Sequence, residues 1–124
     1  LVLIEQGLTR EAEPLVRACV AHYQRLGSRP LAAAARSALL PVLAAEGAWD
    51  ELDLQLKAVE QAVAGGGLFE SDVGLAARLA GEAALHRGQL RRAQRLLQLA
   101  HDQYLAVGRD ELATELAMLV AGLN

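Results

Sequence analysis

Three polar side chains, Arg78, Glu82 and His86, follow one another at intervals of four residues in an otherwise apolar segment, which on a helix puts them on one face. Arg78 and His86 there would donate hydrogen bonds to a carboxylate or a backbone carbonyl, the chemistry of a peptide-binding groove. The same spacing also describes a solvated helix face on which an Arg78 to Glu82 pair contributes only a few tenths of a kcal/mol. The groups that catalysis needs are not assembled. None of His22, His86 and His101 has a second His or Cys at ligand spacing with an acidic third member, so no metal site is expected. The run Gly65 to Gly67 lacks the lysine and Ser/Thr of a phosphate-binding loop, and no strand precedes it. Cys19 is the only cysteine, which rules out an internal disulfide. Its place in an apolar stripe predicts a buried thiol with no base to activate it. The expectation is a protein without catalytic residues, metal or cofactor.

The elements that must position any site are set by glycine. Gly7, Gly47 and Gly88 stand 40 and 41 residues apart, and Gly27, Gly67 and Gly108 repeat the same two intervals. Side chains between them keep step. Ala12, Leu52 and Ala93 lie five residues after the first glycine of each unit; Val16, Leu56 and Leu97 lie nine after it. Cys19, Val59 and Ala100 follow at twelve, and Tyr23, Val63 and Tyr104 at sixteen. Small or apolar residues at these offsets form one stripe on an α-helix. Each unit is therefore a helix, a glycine turn, a second helix and another glycine turn, and such hairpins bury their apolar faces by stacking on neighbours. The fold class is all-α, an α-solenoid of antiparallel helix hairpins with a period of 40 to 41 residues and one domain over residues 1–124. The pattern predicts six helices, Thr9 to Leu26, Arg29 to Glu46, Asp50 to Ala64, Ser71 to Arg87, Leu90 to Val107 and Asp110 to Leu123. The residues from Leu1 to Gln6 read as the last turn of a truncated N-terminal helix, so the chain is expected to be a piece of a longer one.

Composition narrows the class. Over half of the 124 residues are apolar while only 3% are aromatic, so the interior must be Leu, Ala and Val. A net charge of −3 supplies no long-range attraction to nucleic acid or an acidic membrane. The most apolar stretch, Ala38 to Ala45, is too short to span a bilayer and contains Pro41. Leu1 to Ile4 has no initiator Met, basic leader or cleavage-type sequence, and is not read as a signal peptide.

Local chemistry marks the helix ends. Ser28, Ser71 and Asp110 are placed to accept orphan amides as caps, Ser28 just before Pro30 in a first turn. Trp49 is expected to staple onto Leu54 around a cap at Asp50. Pro41 lies deep in the second helix, where it should kink the axis at a cost of ~3 kcal/mol unless packing compensates. Pro14 is late for a first turn and moves the expected start of its helix toward Glu11. Within Gly65 to Gly67 a left-handed glycine should end the preceding helix, and Phe69 should pin the loop to the stack.

Gly81, Gly88, Ala93, Leu97 and Ala100, with Tyr104 and Gly108 closing the helix, resemble the pattern of the tetratricopeptide repeat. That family places small or apolar residues at contacts within and between paired helices, with glycine in the turn. The second unit departs from it, with Leu52 for the small residue and Leu40 where Gly81 stands one repeat later. The family's period is 34, and one extra turn of about 3.6 residues in each helix accounts for the longer period here. The closest type is the long, divergent one found in C-terminal regions of large bacterial signalling proteins, among them ATPase-coupled transcription activators, kinases and cyclases.

The resemblance implies a non-catalytic scaffold or regulatory domain of a cytoplasmic bacterial protein. Its partner would be a protein, a peptide or another domain of the parent chain, held on the concave helices that begin at Arg29, Ser71 and Asp110. Arg78, Glu82 and His86 lie on the middle one, opposite Leu79 and Ala83. Small-molecule sensing in a pocket between Arg78, His86 and Pro41 is a rival expectation. Another is a homodimer through the last helix, whose Leu112, Leu116, Leu119 and Val120 form a wide apolar face. Finally, Arg87, Arg91, Arg92 and Arg95 surround one turn while Glu46, Asp50, Glu51 and Asp53 occupy the equivalent turn a repeat earlier, which predicts complementary packing between repeats.

Overall fold

The computed structural model describes residues 9–65 and 71–123. These form α1 (Thr9–Arg25), α2 (Arg29–Ser37), α3 (Leu39–Glu46), α4 (Trp49–Ala64), α5 (Ser71–His86), α6 (Leu90–Ala106) and α7 (Asp110–Gly122). No strand occurs among the described residues. The expected helix over residues 1–6, Gly7, Gly67, Phe69 and the capping role of the Ser71 side chain lie outside them.

Four of the repeated glycines end their helices in the same way. Gly27, Gly47, Gly88 and Gly108 all have φ between 72° and 80°, a backbone region that costs glycine nothing and other residues much. In each case the next residue donates its amide back across the turn: Ser28 to Tyr23, Ala48 to Leu43, Gln89 to Ala84 and Arg109 to Tyr104, at 2.8–3.1 Å. The glycine amide bonds one residue further on, which together satisfies carbonyls that a helix end leaves open. Gly65 differs. Its φ of −73° keeps it right-handed, so the left-handed end expected within Gly65 to Gly67 is not made at its first residue.

The second helix is interrupted rather than kinked at its proline. It divides at Ala38 into α2 and α3, so Pro41 falls in the first turn of α3, where a missing N–H leaves no bond broken. Buried Ser37, four residues earlier, donates its hydroxyl to the Ala34 carbonyl at 2.6 Å, and Ala38 bonds back to Ala35 in the tighter three-residue pattern. Pro14, by contrast, is inside α1, which begins at Thr9 and not near Glu11. Ser28 caps α2 as expected, accepting the Leu31 amide. Asp110 does not cap; Arg109 holds that place and Asp110 opens α7.

Packing joins helical arms that are neighbours in the chain, except that α5 packs on the bent arm rather than on α4. α1 lies on α2 and α3, that bent arm lies on α4, α3 lies on α5, α5 on α6, and α6 on α7. Leu40, Leu43, Leu52, Leu56, Val59, Leu96 and Leu97 are all at most 1% exposed. Each fully buried leucine stabilises the fold by about 1.5–3 kcal/mol relative to an exposed one. The repeated stripe is thus core in α4 and α6. In α1 only part of it is: Ala12 is buried, but Cys19 is exposed, unlike its equivalents Val59 and Ala100. The packed side of α1 is the one that carries Ala12 and Val20, which corrects the expectation of a buried thiol.

α5 and α6 approach closely at two glycines. A Cβ added to Gly81 would stand 2.7 Å from Cγ and Cδ2 of Leu97, and one on Gly74 would stand 3.1 Å from the Tyr104 ring. One repeat earlier Leu40 faces the same register, so glycine is what lets this hairpin close more tightly. Gly81→Ala should therefore destabilise the protein by about 1–3 kcal/mol in urea unfolding, despite alanine's better helix propensity. Leu97→Ala in the same chain should make the Gly81→Ala change far less costly. A Gly81→Ala protein as stable as the parent would contradict this packing.

Candidate functional site

The Arg78 stripe is occupied by the protein's own carboxylates. Arg78 donates through Nε to Glu82 at 3.0 Å and through Nη2 to Glu115 of α7 at 2.6 Å. Hydrogen bonds from Arg78 to these two acids raise the arginine's pKa above its ordinary value. Glu82 and His86 are exposed on the same helix. Leu79 and Ala83, expected on the packed side, are only half-buried; that side is Val73, Ala76, Ala77, Ala80 and Ala84. Arg78 is therefore a tie between α5 and α7, with little capacity left for a ligand.

On α7 the apolar face divides in two. Leu116 is 0% exposed and sits within the core beside Ala113. Leu112, Leu119 and Val120 pack on the edge of that core and are half-buried, while Met118 is 72% exposed. Leu116 therefore belongs to the folded unit, so a charged residue there would act on folding and not on self-association.

Arginines elsewhere form a ladder between successive hairpins. Arg17 of α1 reaches Glu51 of α4 at 2.9 Å. Arg92 of α6 makes paired bonds to Asp53 of α4 at 2.9 and 2.8 Å, and Arg95 reaches Glu60 at 2.6 Å. Arg87 donates to the Ala45 carbonyl at the end of α3. The opposed clusters read in the sequence thus meet at Arg92 and Asp53. Trp49, expected to pack on Leu54, instead carries the Arg92 guanidinium over its ring at 5.5 Å, and Leu54 is exposed. Hydrogen bonds from Arg92 hold the Asp53 carboxyl below its usual range, as those from Arg17 do for Glu51, against the opposing effect of burial.

The described surface has an open groove elsewhere. A cavity of about 610 Å³ lies between the end of α1, the face of α2 and the second half of α4. Its floor is alanine: Ala32 and Ala33 from α2, Ala58 and Ala62 from α4. Its rim is polar, with Gln24, Ser28, Arg29, Arg36 and Gln61. Arg36 is half-buried and donates through Nη1 to Oε1 of buried Gln55 at 2.7 Å. No carboxylate among the described residues pairs with Arg36 or Arg29. The groove can therefore hold an extended apolar segment and offer it charged donors. A smaller cavity of about 310 Å³, between α4 and α6, is lined by Glu60, Val63, Ala64, Arg95, Gln98, Leu99 and Asp102. Neither groove is lined by Arg78, His86 or Pro41, and Pro41 is itself buried.

Among the described residues no cluster of three or more His, Cys, Asp or Glu is arranged to hold a metal. None of the described helices is long and apolar enough to cross a membrane. The open groove escaped the residue-by-residue reading because its alanines look like core. The signal available was a pair of polar residues, Arg36 and Gln55, where the next repeat has Ala77 and Leu96.

Comparison of the chain with family models, with curated proteins and with solved structures gave no match.

The ion-pair ladder sets a pH dependence. A carboxylate with a lowered folded-state pKa contributes stability above its unfolded value, near 4 for aspartate, and loses it as pH falls through the folded value. Thermal unfolding of the parent and of Asp53→Asn should thus differ at pH 7 by a few degrees at most, since exposed pairs contribute about 0.2–1 kcal/mol. The gap should close as pH is lowered below about 4. A gap that persists unchanged at pH 2.5 would show that Asp53 acts through something other than its charge.

Proposed function

We propose that this chain is a non-catalytic binding module of the tetratricopeptide-like kind, an α-solenoid that acts as a regulatory part of a larger cytoplasmic bacterial signalling protein and binds a peptide segment. The repeat of glycine turns at 40 and 41 residues supports the solenoid, and the order of helix contacts is compatible with it. The observation that carries the binding role is the groove of about 610 Å³ between α1, α2 and α4. It is large enough for several side chains, has an apolar floor, and keeps polar donors at its rim.

This reading moves the binding surface away from the α5 stripe. Arg78 is committed to Glu82 and Glu115, and freeing it would leave two carboxylates without their partner. Arg36 is committed only to a neutral amide. A peptide entering the groove would cover alanine methyls and meet an arginine already held in place, so little ordering is needed on the protein's side.

Selection from a displayed library of linear twelve-residue peptides tests this. Selected peptides should lose binding to Ala58→Leu, which fills the groove floor, and keep it with Arg78→Ala and His86→Ala. Peptides that depend on Arg78 and His86, or a library that yields none, would overturn the assignment.

A further inference from the structure

The two grooves are the same place in successive repeats, and their differences are informative. Forty-one residues after Ala58 and Gln61 come Leu99 and Asp102, which line the second groove as the former line the first. Gln24 of the first corresponds to Ala64 of the second, forty residues on. The second groove is half the size of the first. Leu99 projects where Ala58 leaves space, and Arg95 at its edge is already paired with Glu60.

The polar pair follows the same rule. Arg36 and Gln55 have Ala77 and Leu96 as their counterparts forty-one residues later, both fully buried. Two buried apolar residues of the second hairpin are thus replaced, both at once, by a charged donor and the amide that orients it. Gln55 is 7% exposed, and Arg36 gives it one Nη1 bond. A guanidinium carries five donors in a planar fork. The remaining donors of Arg36 have no partner among the described residues, and none of these unpaired donors is sealed from solvent. Arg29, one position after the Ser28 cap and also without a carboxylate, stands at the same rim. Packing alone does not require an arginine here, since the next repeat packs without one.

We infer that the α1, α2 and α4 groove recognises an acidic peptide, with one Asp or Glu carboxylate received by the fork of Arg36 and adjacent apolar side chains lying on the alanine floor. The inference rests on the binding-module reading and names the class of its ligand. Charge complementarity is local: the chain as a whole is at −3, yet none of the described residues lining this groove is acidic. The second groove, with Glu60 and Asp102, offers the opposite character.

Fluorescence anisotropy with a labelled eight-residue peptide of alternating leucine and glutamate tests this, against its leucine and glutamine counterpart and against free glutarate. The acidic peptide should bind and the glutamine peptide should bind at least tenfold more weakly. Arg36→Lys keeps the charge but not the fork and should also weaken binding. The double change Arg36→Ala with Gln55→Leu copies the pair that packs in the next repeat, so it should keep the melting profile while losing roughly tenfold or more in affinity. Equal binding of the glutamine peptide, or undiminished affinity in the double variant, would overturn the proposal. Glutarate binding as tightly as the peptide would also overturn it, in favour of a free-anion site. Library peptides that require the open floor at Ala58 but carry no acidic residue would remove this inference and leave the binding module standing. No binding by either the acidic or the library peptides would remove both.

Discussion

Everything in this architecture depends on a left-handed glycine recurring at a fixed phase. At Gly27, Gly47, Gly88 and Gly108 the backbone takes a conformation that a side chain would strain, and the following amide locks the turn onto the helix just ended. The same turn is thereby made at each of these four places. Because the phase is kept, side chains of neighbouring units come face to face: Arg17 with Glu51, Asp53 with Arg92, Glu60 with Arg95, and Arg78 with Glu115. Each pair is weak in water, but together they fix which faces of neighbouring hairpins meet. The grooves are a consequence of that same periodicity, one unit apart.

Repetition also makes departures readable as local decisions. Where Gly81 allows Leu97 to come within contact of the α5 backbone, Leu40 occupies the matching position of the preceding unit. The larger residue coincides with a helix divided at Ala38 and with a wider cavity on the α2 side. In the second unit small residues close the hairpin and Leu99 narrows the groove. In the first, alanine at position 58 and arginine at position 36 leave it open and charged.

Helix limits were legible because glycine acts through backbone conformation, which needs no knowledge of tertiary neighbours. Six expected helices correspond to the described arms with shifts of a single residue at most, apart from the division of the second. That division was not legible, since Pro41 marks only a missing donor; where the chain yields is decided by Ser37 and Ala38 upstream. Side-chain fates that depend on what lies opposite were read less well. Cys19 shares its offset with Val59 and Ala100 but not their cover, Trp49 found Arg92 instead of Leu54, and Leu116 turned inward from the face assigned to self-association. Arg78 drew notice as a free donor because Glu115, thirty-seven residues away, cannot be placed beside it by helical spacing alone. The replacement of Ala77 and Leu96 by Arg36 and Gln55 was visible in the repeat alignment, yet its meaning needed the hydrogen bond and the cavity.

The central claim is that the groove floored by alanine is where a partner sits. Alanine-methyl NMR on the protein titrated with the alternating leucine and glutamate peptide reads it most directly. The account predicts that the signals of Ala32, Ala33, Ala58 and Ala62 move with saturation while those of α5 and α7 stay in place. Movement concentrated at Ala83, Ala117 and Ala121 would contradict it and return the binding surface to the Arg78 face.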